Sequence, residues 1–305
     1  MSSALLNSRT VKAEALRLGF AACGMSPAHD VEESHARFFR RWLSSGFHAD
    51  MHYMQEHQEM RLSPQLLVPG VQTVISVALP FRPAHPVLHI SLYAQGMDYH
   101  LVLRERLAAF MQAIGATGRC FVDTAPVLER YWAWRSGLGW IGQDKLLHVP
   151  RVGNAVFLGE LFVMQQADAY DRPLSIACSQ CQLCVNACPQ GAITAQGVDA
   201  RRCLSYLTIE HRGALPSDVN LHDTFYGCDA CLMACREISM PANEPLFSPS
   251  PLLCSMTDQD WQNLTPQQFR LLFRHSAVKR TKYEGLKRNI VAAFGPKDEE
   301  AKKNE

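Results

Sequence analysis

Eight of the chain's 11 cysteines fall between residues 178 and 235, in stretches reading CSQCQLCVNACPQGAI, RRCLSYLTIE and YGCDACLMAC. Cys178, Cys181, Cys184 and Cys188 form a C-x2-C-x2-C-x3-C run closed by Pro189. Cys203 follows, and then Cys228, Cys231 and Cys235 at gaps of two and three. Two-residue gaps bring consecutive thiolates to neighbouring corners of one iron–sulfur cubane, and a four-cysteine run ending in Cys-Pro is the spacing of paired 4Fe–4S clusters. Zinc can take one C-x2-C pair against another, but it gives no reason for a run of four. The N-terminal stretch MSSALLNSRTVKAEAL lacks a long apolar core and a small-residue cleavage site. Reduced thiols and a cytoplasmic location are therefore expected, and a disulfide framework is not.

By the rule for two-cluster ferredoxins, the fourth cysteine of such a run serves the other cluster. Cys178, Cys181, Cys184 and Cys235 are then expected to hold the first cluster, and Cys188, Cys203, Cys228 and Cys231 the second. The chain of 305 residues can bury a full core and has room for one large domain and a smaller one. Its 30 basic and 29 acidic residues leave a net charge of +1, which is no global footprint for nucleic acid. Basic residues do cluster between Arg270 and Arg288. No apolar run is long enough to span a bilayer, so no membrane partner is expected.

Periodicity predicts a helix over residues 8–20, a short strand at AACGM with Cys23 as a core residue, and a helix over 35–45. His48, His52 and His57 have metal-like spacing but read as exposed helix-face histidines. VQTVISVALPF (71–81) reads as a buried strand. A helix from Asp98 onward is expected to bury Leu101, Leu103, Leu107, Phe110, Met111 and Ile114. RCFVDTAP reads as a strand with Asp123 at its C-terminal end, where ligand sites of α/β folds gather. Residues 126–140 look helical, with Asp123 placed to cap a Pro-initiated helix. The stretch from Gly139 to Met164 reads as two strands joined by a turn. After Cys235 a Pro-spaced strap, MPANEPLFSPSPLL, leads to two or three short helices, one capped by Thr265-Pro266. The charged tail PKDEEAKKNE is expected to be disordered.

Taken together, DTAPVLER (123–130), GLGWIG (137–142), FLGEL (157–161), the cysteine run, DARRCLSYLTIE (199–210), YGCDAC (226–231) and SAVKRTKYEGLKRNI (276–290) resemble the epoxyqueuosine reductase family. The resemblance covers roughly residues 8–294 in unbroken order and is to the shorter members, without C-terminal helical repeats. It implies an α/β (α+β) cobalamin-binding core over 1–168, with a ferredoxin-like 4Fe–4S module at 169–247 and a strap and basic helical region at 248–305. It implies an oxidoreductase acting on epoxyqueuosine at the wobble position of tRNA, where the epoxide becomes an alkene with loss of water. Cobalamin and two 4Fe–4S clusters are the implied cofactors, and tRNA and an unidentified electron donor the implied partners of a monomer.

Asp123 matches the family's proton donor, and an apolar pocket is expected to raise its pKa so that it carries a proton at neutral pH. The resemblance places Ser91, Asp123, Leu147, Leu158, Ser205, Tyr206 and Thr208 near the corrin. Lys279, Arg280, Lys282, Lys287 and Arg288 are expected to meet tRNA phosphates, with Tyr283 among them for stacking. The sequence departs from the family pattern at Met97, Gln143 and Arg236, where the family usually has a basic residue, a Lys and a Pro. Those departures leave open a relative that reduces another substrate, an electron-transfer protein, or a binding-only relative.

Overall fold

The run TVISVALP is apolar on both faces, and both faces are covered. In the computed structural model, which describes residues 5–235 and 244–295, this run is β2 (Thr73–Pro80), and every one of its residues is buried. Eight strands can be named in chain order among the described residues: β1 (Ala22–Pro27), β2, β3 (Gly118–Phe121), β4 (Trp140–Ile141), β5 (Leu147–His148), β6 (Val156–Val163), β7 (Ile193–Thr194) and β8 (Gly197–Val198). The main sheet has the order β1-β2-β6-β3. On one face Ile75, Val77 and Leu79 pack with Leu103, Leu107 and Phe110 of the Tyr99–Ala113 helix and with Val11 and Ala15 of the Ser8–Arg17 helix. On the other, Val74 and Phe162 meet Tyr131 and Trp132 of the Glu129–Arg135 helix. A sheet covered twice needs no polar alternation, which explains the continuous apolar run. Truncating fully buried Leu107 to Ala would cost about 2–5 kcal/mol.

Every neighbouring pair in this sheet is antiparallel. Adjacent strands then end on opposite edges, so the common crevice at strand C-termini that marks parallel α/β sheets does not exist here. Asp123 stands just beyond β3, and its placement is the work of its own loop. The stretch from Gly139 to Met164 holds three strands instead of two: β4 and β5 pair with each other, while β6 leaves them to lie between β2 and β3. The helix expected over 126–140 is shorter, Glu129–Arg135, and Leu128 occupies its cap position, so Asp123 is not its cap. On the Tyr99–Ala113 helix, Val102 is buried where Leu101 was expected, and Leu101 is exposed.

The C-terminal part shares a second core with the cysteine segment. Leu204, Leu207 and Phe225 pack with Trp261, Phe273, Leu286 and Ile290. Thr265 caps the Pro266–Phe273 helix in a full capping box with Gln268, as its sequence predicts. Part of the expected strap, residues 240–243, lies outside the described residues, as do Arg236 and the tail 296–305. Within the strap's described part, Phe247 is fully buried in the first core, and Pro251–Cys254 is helical.

Candidate active site

Asp98 caps the N-terminus of the Tyr99–Ala113 helix, its Oδ1 accepting from the His100 backbone N–H. That cap turns the His100 ring toward two carboxylates. His100 Nδ1 lies 2.7 Å from Asp98 Oδ1, and His100 Nε2 lies 3.1 Å from Asp123 Oδ2. Lys279 Nζ closes the row at 2.7 Å from Asp98 Oδ2, and the Asp98 N–H donates to the His275 carbonyl. Tyr99 stacks between His100 and Phe157 and donates to Asp123.

Protein atoms crowding Asp123 push its pKa up, but the hydrogen bond and charge of His100, with the Tyr99 hydroxyl, outweigh this and hold it below the ordinary value. The expected apolar pocket that raises the Asp123 pKa is thus corrected: a protonated imidazole faces it. Burial alone would lower the His100 pKa, yet Asp123 and Asp98 carry it up to about 9. At neutral pH the proton of this pair therefore resides on His100 and Asp123 is ionised.

Asp123 adopts φ of +54°, a left-handed conformation that costs an L-residue with a Cβ roughly 1–2 kcal/mol. Its N–H donates to Glu129 Oε1 at 2.5 Å. Burial, followed by the charge of Asp123, raises the Glu129 pKa to about 8. Behind it on β6, Glu160 is fully buried, and neither of its oxygens has a hydrogen-bond partner among the described residues. Burial and the nearby Glu129 hold Glu160 far above the carboxylate range, so it is neutral. Ser76, directly across on β2, is likewise buried with its Oγ unpartnered.

The cysteines approach one another in two groups. Cys231 faces Cys203, Cys228 and Cys188, while Cys184 faces Cys178. The short helices Leu183–Ala187 and Ala230–Ala234 pack together to bring the two runs side by side. Burial raises the Cys228 thiol to about 11 and the Cys231 thiol to about 12. These groups stay neutral thiols unless a metal displaces their protons, which suits ligands of an inserted cluster. Cys235 Sγ lies 3.6 Å from Nδ1 of His148, whose Nε2 meets buried Asp144 at 3.1 Å. His48 is buried instead of exposed, with its ring 6.4 Å from that of His52, and His57 is exposed. No three His, Cys, Asp or Glu groups among the described residues close on a single metal ion.

Of the residues the resemblance assigns to a corrin, Ser91 donates to Asp229 at 2.5 Å, and Tyr206 donates to Asp50 at 2.6 Å. Thr208 accepts from the Gly227 N–H. Gly227 sits at φ +78°, and a Cβ there would lie 2.4 Å from the Ser91 Cβ, so only glycine lets these segments meet. Leu147 is buried, and Leu158 and Ser205 are half-buried.

The basic C-terminal residues are differently employed. Arg288 donates to the carbonyls of Leu207, His211 and Gly213, and Arg280 makes a bidentate pair with Glu210. Lys287 donates to the Gln262 carbonyl, and Lys282 is exposed. Exposed Arg270 and Arg274 line a pocket of about 340 Å³ with Lys279, Phe269 and Phe273.

Glu129 and Glu160 fall within the DTAPVLER and FLGEL stretches, but neither they nor Asp98 and His100 are singled out by those patterns for a role in the site. The only local signal among them is Asp98 as a helix cap.

An antiparallel α+β core bearing a histidine–carboxylate proton pair, joined to a double set of cysteines, defines an iron–sulfur oxidoreductase. The family model described as a 4Fe-4S double cluster binding domain matches residues 177–237, and that described as epoxyqueuosine reductase QueG matches residues 61–124. The epoxyqueuosine reductase of Cellulophaga algicola is 42% identical over 298 residues, covering 93% of this chain and 97% of the relative. That of Escherichia coli is 35% identical over 305 residues, covering 93% of this chain and 80% of the relative. A solved epoxyqueuosine reductase with a tRNA-Tyr epoxyqueuosine-modified stem loop shares the fold, with a TM-score of 0.85 and 24% identity, over 93% of this chain and 80% of that one. The chain belongs to the epoxyqueuosine reductase family.

Proposed function

We propose that this protein reduces epoxyqueuosine to queuosine at the wobble position of tRNA, with Asp123 as the proton donor. The observation that carries the reading is the His100–Asp123 contact of 3.1 Å, backed by Asp98 and Lys279. Opening an epoxide leaves an alkoxide that must gain a proton in the transition state. Asp123 reaches out half-exposed, while the proton waits on His100 behind it. As negative charge develops on the substrate oxygen, the proton on His100 Nε2 passes to Asp123, which delivers it to that oxygen; departure of the oxygen as water takes a second proton, which the pair regains from solvent. Asp98 holds the imidazole in place and stabilises its charge, and Lys279 holds Asp98.

The cofactor set of this reading is cobalamin with two 4Fe–4S clusters, which when bound supply the two electrons and the nucleophile that opens the ring. Cys178, Cys181, Cys184 and Cys235 would hold one cluster, and Cys188, Cys203, Cys228 and Cys231 the other. A corrin fits the remaining polar inventory. Gln143 Oε1 and Asn154 Oδ1 are buried acceptors without a partner among the described residues, and the amide N–H groups rimming a corrin would satisfy them. Asn154 Nδ2 already donates to the Leu232 carbonyl, which puts it where the core meets the cysteine helices. Ser91, Leu147, Leu158, Ser205, Tyr206 and Thr208 would form the surrounding walls. The segments 1–168, 169–247 and 248–305 remain the domain division of this reading. A monomer in the cytoplasm, fed by a separate electron donor, completes it. No helix among the described residues is long and apolar enough to cross a membrane.

Phosphates of the tRNA would meet Arg270, Arg274, Lys279 and Lys282. Arg288 and Arg280, spent on internal acceptors, would instead shape the surface. Charge reversal at Arg270 and Arg274 should weaken tRNA binding and reduce its salt dependence by about one phosphate contact for each residue. Unchanged binding would move the tRNA surface elsewhere.

The reading is tested anaerobically. The protein is reconstituted with iron, sulfide and cobalamin and given tRNA containing epoxyqueuosine with a strong reductant. The tRNA is then digested and its nucleosides weighed. Queuosine, lighter by one oxygen atom, is the expected product. Return of epoxyqueuosine alone from fully loaded protein would assign the enzyme another substrate.

A further inference from the structure

The left-handed backbone at Asp123 persists only if its surroundings enforce it. Of the other side chains that reach the loop, two make long contacts and two hold the Asp123 carboxylate instead of its backbone. Arg61 reaches the Ala125 carbonyl at 3.5 Å and Arg104 reaches Thr124 Oγ1 at 3.4 Å, while His100 and Tyr99 hold the Asp123 carboxylate. The contact from Glu129 is different in kind. At 2.5 Å, Glu129 Oε1 accepts the N–H of Asp123 itself, so it fixes the strained peptide directly. Glu129 is also the first residue of a helix whose Tyr131, Trp132 and Ala133 are buried against the sheet. The acceptor is thus rooted in the core, while the loop that it holds is not.

We propose that Glu129 is a positioning residue of the reduction: its side chain latches the Asp123 backbone in the left-handed conformation and so keeps the carboxylate beside His100. The proposal rests on the reading of Asp123 as proton donor. What the latch needs is an acceptor oxygen at the right reach, and charge is secondary. Asp123 and His100 face Glu129 across the loop, Arg130 follows it in the helix, Arg61 faces it from the Gln58–Leu62 helix, and Glu160 from β6. Ionised or protonated, Glu129 retains an oxygen that can accept the Asp123 N–H.

Three variants separate reach from charge. Glu129→Gln keeps an acceptor at the same distance, Glu129→Met keeps the volume without one, and Glu129→Asp keeps the carboxyl group one methylene short. Amide hydrogen exchange of the peptide spanning 122–127 is measured first, in reconstituted protein without tRNA. Exchange there should rise roughly tenfold or more in the Met and Asp variants and by no more than about threefold in the Gln variant, with β2 and β6 unchanged. Turnover should follow the same ranking in kcat, with KM for epoxyqueuosine-containing tRNA unmoved. Equal exchange in the Gln and Met variants, or no change in any variant, overturns the latch. A Gln variant with wild-type exchange and the low kcat of the Met variant also overturns it, assigning Glu129 to proton transfer. Should the Met variant fail to fold, the Asp variant decides. If the wild-type protein leaves epoxyqueuosine intact, the exchange ranking still judges the latch, and only the substrate reading falls.

Discussion

On one side of the Asp123 loop, Asp98, His100 and Lys279 form a row of ionised groups; on the other, Glu129 and Glu160 are acids kept from ionising. Depth does not separate the two sides. Asp98 is 4% exposed and Glu160 0%, yet their pKa values move in opposite directions. Burial pushes both up. For Asp98, hydrogen bonds and charge from His100 and Lys279 reverse that push, whereas Glu160 has no hydrogen-bond partner among the described residues and a second carboxyl group, Glu129, nearby. Partners, more than burial, decide which carboxylate carries charge, and Asp123 stands where the two regimes meet.

The comparison breaks most severely at the meeting point. Asp123→Asn should lower kcat by about 10²–10⁴-fold, because an amide can neither give nor recover the proton. Cluster and cobalamin absorbance should stay at wild-type levels, and normal turnover would remove Asp123 as the acid. Next in size is His100→Gln, for which a loss of about 10²-fold in kcat is expected. The wild-type enzyme should lose activity as pH rises through about 9, where His100 gives up its proton, and this alkaline limb should vanish in the Gln variant. A wild-type profile that is flat across that range would show the proton to reside elsewhere.

Asp98→Asn sharpens the contrast more gently. It removes one of the two carboxylates that raise His100, so the alkaline limb should move down from about 9 toward 6.5, as read from a pH–kcat profile. The smallest effect concerns Glu160. Its pKa is higher in the folded than in the unfolded chain, so the folded state is favoured fully below the ordinary value of 4.5 and loses that advantage as pH rises. Glu160→Gln should therefore raise Tm at pH 7–8, by about 2–4 °C for each kcal/mol gained. The difference from wild type should shrink as the pH is lowered toward 5, and an increase that does not depend on pH would mean Glu160 is already paired.

The double-cluster module at 177–237 was legible because its signature is written into cysteine spacings of two and three residues. The Thr265 cap was legible for the same reason, being a matter of four consecutive residues. His100 and Asp123 lie 23 positions apart on different elements, and nothing local announces their meeting. The polarity of Asp123's surroundings was not legible either: an apolar pocket follows from the proton its role requires, whereas the groups that face it come from the Tyr99–Ala113 helix. A strand such as TVISVALP reads alike in parallel and antiparallel sheets, so the sheet's direction was not encoded there either. Arg288 looked like one of five free cations, and only the carbonyls of Leu207, His211 and Gly213 reveal its employment.

Arg288 and its neighbour Asn289 have a bearing on the order in which the molecule can be made. Asn289 donates to the carbonyls of Thr208 and Phe225, just after Cys203 and just before Cys228. The backbone that presents two of the eight thiols is therefore pinned by residues synthesised some sixty positions after Cys228. On the ribosome, the cysteines emerge long before their scaffold is complete. The hydrogen bonds that fix the backbone beside Cys203 and Cys228 can therefore form only once residue 289 has been added.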